Sequence, residues 1–359
     1  MKVCVYAICK NEEKFAKRWI ENMREADEIY VLDTGSSDQS VEILRNFGAN
    51  VTIQRITPWR FDVARNISLS LVPNDCDICV CTDLDEVFEK GWREKLENAW
   101  QKDFHRQATY TYVWHVLENG SDGTKFFYQK IHARKGFKWV YPVHEILSST
   151  PEITHQQVCH CENIILRHYP DNSKDRGQYL PLLKLSVKEN PKNDRNTHYL
   201  AREFMFAGKY SSAIKYFKKH LRLPTATWDE ERSASLRYIG DCYHCQNKFS
   251  LARKFYKKSI CESPATREGY FALAKHLYSQ KNYFDCYMTL IAMLSIKTRN
   301  LTYISSPECW DESPYDLLSL CEYFLGMKKE AYNHCLLALS KNPHDKRLKE
   351  NLQFFKTHL

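Results

Sequence analysis

The stretch DICVCTDLDE, residues 77–86, decides the fold of the N-terminal half of this chain. After Asp77, residues 78–81 form a short apolar run typical of a buried strand, and Thr82 joins this run to Asp83-Leu84-Asp85. An Asp-x-Asp pair at a strand end places two carboxylates on one side, where they can hold a hard cation that in turn holds phosphate oxygens. Alone the pair is a weak signal, because short acidic pairs at strand ends are usually surface loops.

Three similar units precede this strand. Apolar runs at residues 3–8, 28–32 and 50–56 are each followed by apolar residues at helical spacing. Four strand-helix units in succession predict a mainly parallel sheet covered on both faces. Ligands of such sheets bind beyond the carboxyl ends of the strands. We therefore expect one crevice to collect the acidic residues at these ends, which are Glu12, Asp33, Asp83 and Asp85.

Four motifs in this order resemble the family-2 glycosyltransferases. They are Ile8-Cys9-Lys10-Asn11-Glu12-Glu13, Val31-Leu32-Asp33-Thr34-Gly35-Ser36-Ser37-Asp38, Ala64-Arg65-Asn66 and Asp83-Leu84-Asp85-Glu86. The resemblance covers about residues 1–170. It implies an α/β GT-A fold, the nucleotide-diphospho-sugar transferase fold, with a UDP-sugar donor, Mn²⁺ or Mg²⁺ as cofactor, and inversion at the anomeric carbon.

The resemblance also assigns roles to residues at matching positions in the donor site. Asp33 corresponds to the acid that binds uracil, and Arg65 to the basic residue beside it. Asp85 is expected to bind the metal, while Asp83 hydrogen-bonds a ribose hydroxyl; Glu12 belongs to the same donor-binding group. The family often has two adjacent aspartates where this chain has Asp33-Thr34, so only the first role is transferred. Without the resemblance, a helix-surface salt bridge explains Arg65 equally well.

The rest of this half supplies the acceptor side. Residues 108–115 and 125–134 alternate in hydrophobicity, which predicts antiparallel edge strands. Val143-His144-Glu145 and the later His168-Tyr169 have counterparts in a subgroup of the family. An inverting transfer needs a base opposite the leaving group, and a carboxylate is the usual choice. Glu145 is the predicted catalytic base.

Four further side chains have both a functional and a structural interpretation. His168 is predicted to contact the metal or the pyrophosphate, with His144 as second choice, although a lone histidine is more often structural. Trp139 and Tyr141 offer flat rings for a sugar face, and core packing is an equally good explanation for them. The runs 159–161 and 242–245 combine cysteine and histidine but lack a second ligand pair at zinc-finger spacing.

From residue 179 onward the sequence is helical and self-similar, so we predict a GT-A domain at 1–178 and a second domain at 179–359. Residues 233–266 resemble a tetratricopeptide repeat, in which Gly240 and Ala252 let two helices touch while Tyr243 and Tyr256 fill the flanks. Weaker copies start near residues 194, 267 and 312, the last after an insertion. The expected fold is an all-α tetratricopeptide-like superhelix that binds peptide or forms a homodimer. A stabilising appendage, or helical pairing without true repeats, is the alternative.

Composition narrows the class of protein. The net charge of +8 resides in residues 194–359, but scattered lysines more often solvate helices, and we expect no nucleic acid partner. The first residues contain no apolar run typical of a secretion signal, so a cytoplasmic location with reduced cysteines is expected.

Three functions fit these patterns. The first is transfer of a hexose or N-acetylhexosamine from a UDP-sugar to Ser, Thr or Cys of a peptide or protein, a layout similar to that of bacterial enzymes that glycosylate bacteriocin peptides or flagellin. The second is transfer to a cell-surface glycan or lipid-linked acceptor. The third is a non-catalytic repeat scaffold, which the joint presence of Asp33, Asp83, Asp85 and Glu145 argues against.

Overall fold

The computed structural model describes residues 1–116, 120–151, 153, 157–171 and 177–358. The chain divides into two compact units, Met1–Ser186 and Val187–Leu359. The predicted boundary at 178/179 coincides with the start of the helix Tyr179–Glu189, and the structural division falls within that helix.

The first unit combines strands and helices. Its strands are β1 Val3–Cys9, β2 Glu28–Asp33, β3 Asn50–Ile53, β4 Ile78–Cys81, β5 Glu86–Phe88, β6 Gln107–Val113, β7 Lys125–Ala133, β8 Phe137–Val140, β9 Ile146–Ser149 and β10 Val158–His168. Its helices are α1 Glu13–Met23, α2 Ser40–Asn46, α3 Phe61–Leu71 and α4 Trp92–Ala99, followed by α5 Tyr179–Glu189.

One sheet of eight strands organises this unit, in the order β3-β2-β1-β4-β7-β6-β10-β5. The strands β3, β2, β1 and β4 are parallel, which confirms the predicted strand-helix units. The two strands predicted at 108–115 and 125–134 are β6 and β7, but they are not at an edge. β7 pairs antiparallel with both β4 and β6, and the eleven-residue β10 covers the far side of β6. Ala108 and Tyr110 of β6 and Ile131 of β7 are correspondingly buried.

Strand β1 explains why the site lies at one edge of this sheet. Val3 and Val5 lie in the core that includes Trp19 of α1, whereas Tyr6 faces a second cluster that includes Leu69 of α3. Because both faces are covered, β1 is apolar along its length. Polar groups are consequently placed where the strands end, and the carboxyl ends of β2, β1 and β4 are neighbours.

The second unit is entirely helical. Its helices are α6 Asp194–Phe206, α7 Tyr210–His220, α8 Asp229–Cys245, α9 Phe249–Glu262, α10 Arg267–Ser279, α11 Tyr283–Ser295, α12 Ser313–Phe324, α13 Lys328–Lys341 and α14 Lys346–Thr357, with a 3₁₀ turn at Pro307–Cys309. Each helix from α6 to α14 packs against the next in the chain. The pairs α6/α7, α8/α9, α10/α11 and α12/α13 begin close to the four predicted repeat starts.

The contact inside the second pair confirms the predicted small-against-large packing. A Cβ atom added at Gly240 of α8 would lie 2.6 Å from the ring of Tyr256 on α9. Ala252 is fully buried in the same core cluster as Tyr256. The fold is therefore a GT-A-like α/β unit followed by tetratricopeptide-like helix pairs, as the sequence predicted.

Two general features complete the description. All fourteen cysteines are free, and twelve of them are buried. Among the residues that the structure describes, none of the helices has the length and apolar character needed to span a membrane.

Candidate active site

The loops after β1 and β2 form one hydrogen-bonded structure. Asn11 adopts a left-handed conformation with φ of 55°, and its Oδ1 accepts a hydrogen bond of 2.8 Å from the backbone N–H of Ser37. The Asn11 N–H donates to Oγ of Ser36 at 2.8 Å, and the Thr34 N–H donates to the carbonyl of Cys9 at 2.8 Å. Asparagine tolerates positive φ better than most residues, which explains its place in the first motif.

Asp33 is the last residue of β2 and is 1% exposed. Its Oδ1 accepts hydrogen bonds of 2.9 Å from the N–H groups of Gly35 and Ser36, and its Oδ2 accepts one from the Ser36 hydroxyl. The carboxylate thus holds its own loop in shape. Since an ionised carboxyl offers about four acceptor positions, Oδ2 keeps capacity for one more donor.

Glu12 immediately precedes α1. The thiol of Cys9 lies near both Glu12 and Asp33. The Glu12 carbonyl accepts the first hydrogen bonds of the helix, from the N–H groups of Phe15 and Ala16. Burial, followed by the charges of Asp33 and Glu12, raises the pKa of the Cys9 thiol to about 12. These two acids therefore flank one buried, protonated sulfur at the carboxyl ends of β1 and β2.

Arg65 of α3 joins two acids that are distant in sequence. Its Nη2 donates to Oδ1 of Asp83 at 2.5 Å, its Nε donates to Oε1 of Glu145 at 3.0 Å, and its Nη1 lies 3.4 Å from Sγ of Cys81. The residue is 3% exposed, so a helix-surface salt bridge was the wrong alternative. Burial lowers the pKa of Arg65, but the charge of Asp83 and then those of Cys81 and Glu145 raise it well above its usual value.

Lys130 of β7 also belongs to this cluster, although the sequence patterns did not predict it as a site residue. Its Nζ lies 3.1 Å from Oδ2 of Asp83 and 3.3 Å from Oε1 of Glu86, and the residue is 4% exposed. Glu86 is also buried, and its Oε1 accepts a hydrogen bond of 2.8 Å from the hydroxyl of Tyr112. The sequence signal was a lysine inside an otherwise aromatic, alternating strand.

Two cations hold Asp83 in the charged form. Burial raises the pKa of Asp83, but the charges of Arg65 and Lys130 lower it by more, so the net pKa lies well below its usual range. The neighbouring Glu86 has its pKa raised, mainly by burial, with Asp83 adding to the effect and Lys130 opposing it. Because Arg65 and Lys130 already balance the charge of the Asp83 carboxylate, Asp83 is better suited to a hydrogen bond with a ligand than to holding a metal.

Asp85 forms a separate pair with His168. Its Oδ2 lies 3.2 Å from Nε2 of His168, whose Nδ1 donates to the carbonyl of Trp114 at 2.6 Å. Burial lowers the pKa of His168, but the hydrogen bond and charge of Asp85 raise it by more. The hydrogen bond at Nδ1 fixes the ring with Nε2 towards the carboxylate, in the way that metal-binding histidines are usually held through their other ring nitrogen. A carboxylate and an imidazole, together with phosphate oxygens, form a suitable donor set for Mn²⁺ or Mg²⁺.

Glu145 follows a turn with a strained backbone, and its side chain contacts Arg65. Tyr141 and His144 have positive φ values of 82° and 50°, which for residues other than glycine cost roughly 1 to 3 kcal/mol each and concentrate at functional sites. The N–H of Phe61, the first residue of α3, donates to the carbonyl of Pro142 at 3.0 Å and ties the turn to that helix. The structure thus assigns Tyr141 and His144 to the turn beside the predicted base, and places the ring of His144 5.7 Å from that of Tyr179.

Trp139 is a core residue. It is 2% exposed, and its Nε1 donates a 2.9 Å hydrogen bond to the hydroxyl of Tyr6. Its ring also lies 5.5 Å below the guanidinium of Arg65. The indole is therefore not available as an exposed platform for a sugar, and of the two interpretations of Trp139 the packing one describes this structure.

Comparison with known proteins adds a family to this geometry. Residues 4–161, somewhat less than half of the chain, match the family described as glycosyl transferase family 2. Among curated proteins of known function, none matches the sequence.

Solved structures resemble the helical half. The crystal structure of MamA shares 19% identity, with 46% of this chain and 86% of that one covered and a TM-score of 0.37. YrrB, described as a tetratricopeptide protein with an unusual peptide-binding site, shares 12% identity over 49% and 82% of the two chains, with a TM-score of 0.39. PilF of Pseudomonas aeruginosa shares 13% identity over 50% and 72%, with a TM-score of 0.38. The α/β unit therefore carries the match to glycosyl transferase family 2, over residues 4–161.

Proposed function

We propose that this protein is an inverting, metal-dependent glycosyltransferase that moves a hexose or N-acetylhexosamine from a UDP-sugar to Ser, Thr or Cys of a peptide or protein. The observation that carries the proposal is the buried guanidinium of Arg65, which holds Glu145 and Asp83 at once. One cation thereby links the proposed base to the proposed donor site.

The donor side rests on four strand-end residues. Asp33 has an acceptor position left at Oδ2 for a uracil N–H, and Asp83, kept ionised by two cations, accepts a hydrogen bond from a ribose hydroxyl. Asp85 and His168 would hold Mn²⁺ or Mg²⁺. When bound, such an ion neutralises charge on the departing diphosphate.

The acceptor side rests on Glu145. Its Oε1 is engaged by Arg65, whereas no described residue pairs with Oε2, which would take the proton from the acceptor hydroxyl or thiol. The salt bridge fixes the direction of the carboxylate, and the strained turn at Tyr141 and His144 limits its movement. Glu145 thus binds and removes one proton, and Arg65 acts as the residue that positions it.

The helical unit supports a protein partner. An apolar stripe runs along α11, where Phe284, Met288 and Ile291 are 61%, 50% and 41% exposed. Their spacing of four and three residues places them on one helix face, and exposed apolar patches mark interaction sites. We propose that this stripe mediates a homodimer, while other surfaces of the unit receive the acceptor peptide.

The first test is UDP release from a panel of UDP-sugars, with Mn²⁺, Mg²⁺ or EDTA and without acceptor. We expect slow hydrolysis of one sugar that requires the metal and stops in EDTA. The absence of both UDP release and UDP binding by calorimetry would overturn the enzyme proposal in favour of a scaffold. Transfer to glycan but not to any peptide would retain the enzyme and contradict the acceptor.

Glu145→Gln tests the base and the acceptor atom together. Glutamine preserves the shape and a hydrogen-bond acceptor but cannot take a proton, so transfer to a Ser peptide should fall about 10²- to 10⁴-fold. Transfer to the matching Cys peptide should fall less, because a thiol with a pKa near 8.5 is already partly ionised. Peptide glycosylation rates by mass spectrometry measure both, and an undiminished rate with serine would rule out Glu145 as the base.

A further inference from the structure

The core of the helical unit contains a second cluster of potential metal ligands, separate from the α/β unit. It consists of Asp194 at the first position of α6, His220 at the last position of α7, and Glu231 in the first turn of α8. Ligand atoms of all three lie within 4.8 Å of one another. His220 is fully buried and Glu231 is 4% exposed, so this is not a solvated group of surface acids.

His220 and Glu231 each have a second hydrogen-bond partner, at the side-chain atom that does not face the other residue. Nδ1 of His220 lies 2.9 Å from the hydroxyl of Ser235, which leaves Nε2 to face Oε2 of Glu231 at 3.1 Å. The other oxygen of Glu231 accepts a hydrogen bond from the hydroxyl of Tyr303. Metal-binding histidines and carboxylates are usually fixed in this way through the atom that does not touch the ion.

His198 provides an independent observation at the same place. It lies four residues after Asp194, on the same face of α6, and its ring centroid is 5.3 Å from that of His220. It is fully buried, its Nδ1 shares the hydroxyl of Ser235 at 2.8 Å, and its Nε2 lacks a hydrogen-bond partner in the described part of the chain. A buried imidazole nitrogen normally has a hydrogen-bond partner, and an ion bound next to His220 would supply one.

A hydrolytic triad is the other chemistry that Ser235, His220 and Glu231 suggest, and the burial excludes it. Ser235 is fully buried, and its hydroxyl is shared by two histidines. A nucleophile without access to substrate cannot act as one.

We propose that Asp194, His220 and Glu231 bind a divalent first-row transition metal ion of the Zn²⁺ type, with the His198 imidazole next to that of His220. Zinc accepts imidazole and carboxylate ligands in four-coordinate sites with bonds of about 2.0 to 2.2 Å, which places neighbouring ligand atoms about 3.3 Å apart. The 3.1 Å between His220 Nε2 and Glu231 Oε2 is close to that spacing. In the metal-free protein one shared proton would fill this gap, and the ion would displace it.

The ion would join parts of the chain that are far apart in sequence. The three ligands come from α6, α7 and α8, and Tyr303 lies in the insertion between α11 and α12. Tyr303 stacks on Tyr199 of α6 with ring centroids 5.8 Å apart, and its edge contacts Trp228. Metal binding would therefore stabilise the first helix pair and the inserted segment together.

The test uses the full chain carrying Asp85→Asn, so that an ion in the α/β unit does not contribute. The protein is stripped with a chelator and titrated with Co²⁺, whose visible spectrum reports ligand number and geometry, and then with Zn²⁺ by calorimetry. We expect about one equivalent of either ion and a higher melting temperature with Zn²⁺. No binding, or an ion that leaves melting unchanged, would overturn the proposal.

Two conservative substitutions test whether the ion binds at this cluster. Asp194 is only half-buried, so Asp194→Asn should fold normally and lose at least about tenfold in Zn²⁺ affinity. Tyr303→Phe removes the hydroxyl that donates to Oε1 of Glu231. It should weaken Zn²⁺ binding about 10- to 100-fold, the usual range when a hydrogen-bond partner of a metal ligand is removed. His244→Gln, a histidine of α8 outside the cluster, is the matched control and should bind like the parent. Unchanged affinity in Asp194→Asn and Tyr303→Phe would refute this site.

Discussion

The two units bury charge in different ways. In the α/β unit the buried charges are at strand ends, where Arg65 and Lys130 surround Asp83. In the helical unit Glu231 lies on a helix face inside the core, paired with His220. Strand ends of a parallel sheet converge at one edge whatever the side chains are, whereas helix faces converge only where particular helices pack. The first arrangement is therefore dictated by topology, and the second by packing.

Asp85→Asn should have the largest effect of the changes considered. It should abolish catalysis by the α/β unit. The change removes a charge at a strand end without changing core volume, so metal-dependent UDP release should become undetectable while the far-UV circular dichroism stays the same. Asp75→Asn is the matched control, because Asp75 precedes the same strand at its opposite end and its side chain is 70% exposed. Equal UDP release by the two variants would contradict the assignment of the metal site.

The next effect concerns stability. Arg65→Met leaves Asp83 and Glu145 without their shared cation, and removing one partner of a buried ion pair typically costs about 3 to 5 kcal/mol. Arg60→Met, which removes a more exposed cation from its pair with Asp62, should cost less.

Urea unfolding followed by tryptophan fluorescence measures both, since six of the eight tryptophans lie in the α/β unit. Similar losses in Arg65→Met and Arg60→Met would mean that the cluster around Asp83 is solvated rather than buried.

The same contrast explains what the sequence could reveal. Asp33, Asp83 and Asp85 were predictable as neighbours because each follows a recognisable strand, and Gly240 against Tyr256 followed from the repeat pattern. Lys130 was missed because its role depends on β7 lying next to β4, whereas the alternating pattern indicated an edge strand. Such pairing is decided by contacts between distant segments.

The helical cluster was beyond sequence interpretation for a related reason. Residues 194 and 198 lie on one face of a helix, but nothing in the spacing to His220 and Glu231 shows that three helices bring them together. The motifs with cysteine and histidine were more conspicuous, yet Cys159 and Cys161 are core thiols only 3.4 Å apart. Trp139 illustrates the opposite error, because a buried indole and a sugar platform have the same sequence appearance.

A smaller effect tests packing in the helical unit. Gly240→Ala would place a methyl group 2.6 Å from the ring of Tyr256. Overpacking costs about 1 to 3 kcal/mol and the better helix propensity of alanine returns about 1 kcal/mol, so we expect a net loss of up to about 2 kcal/mol. Thermal unfolding measures it, and adding Tyr256→Leu should make the alanine less costly than in the parent. A stabilising Gly240→Ala would mean that these helices are not in close contact.

The smallest expected effect on stability, Phe284→Glu, separates surface from core within the same unit. Phe284 is 61% exposed on the apolar stripe of α11, and exposed substitutions usually change stability by no more than about 0.5 kcal/mol. If the stripe joins two copies of the chain, a charge at its first residue should shift sedimentation from dimer to monomer without moving the melting temperature at low concentration. Ser250→Glu adds the same charge to the exposed surface of α9 and should leave the dimer intact. A parent protein that is monomeric at all concentrations, or a dimer insensitive to Phe284→Glu, would show that this surface does not mediate self-association. The buried cluster of Asp194, His220 and Glu231 would then be the main chemical feature of the helical unit.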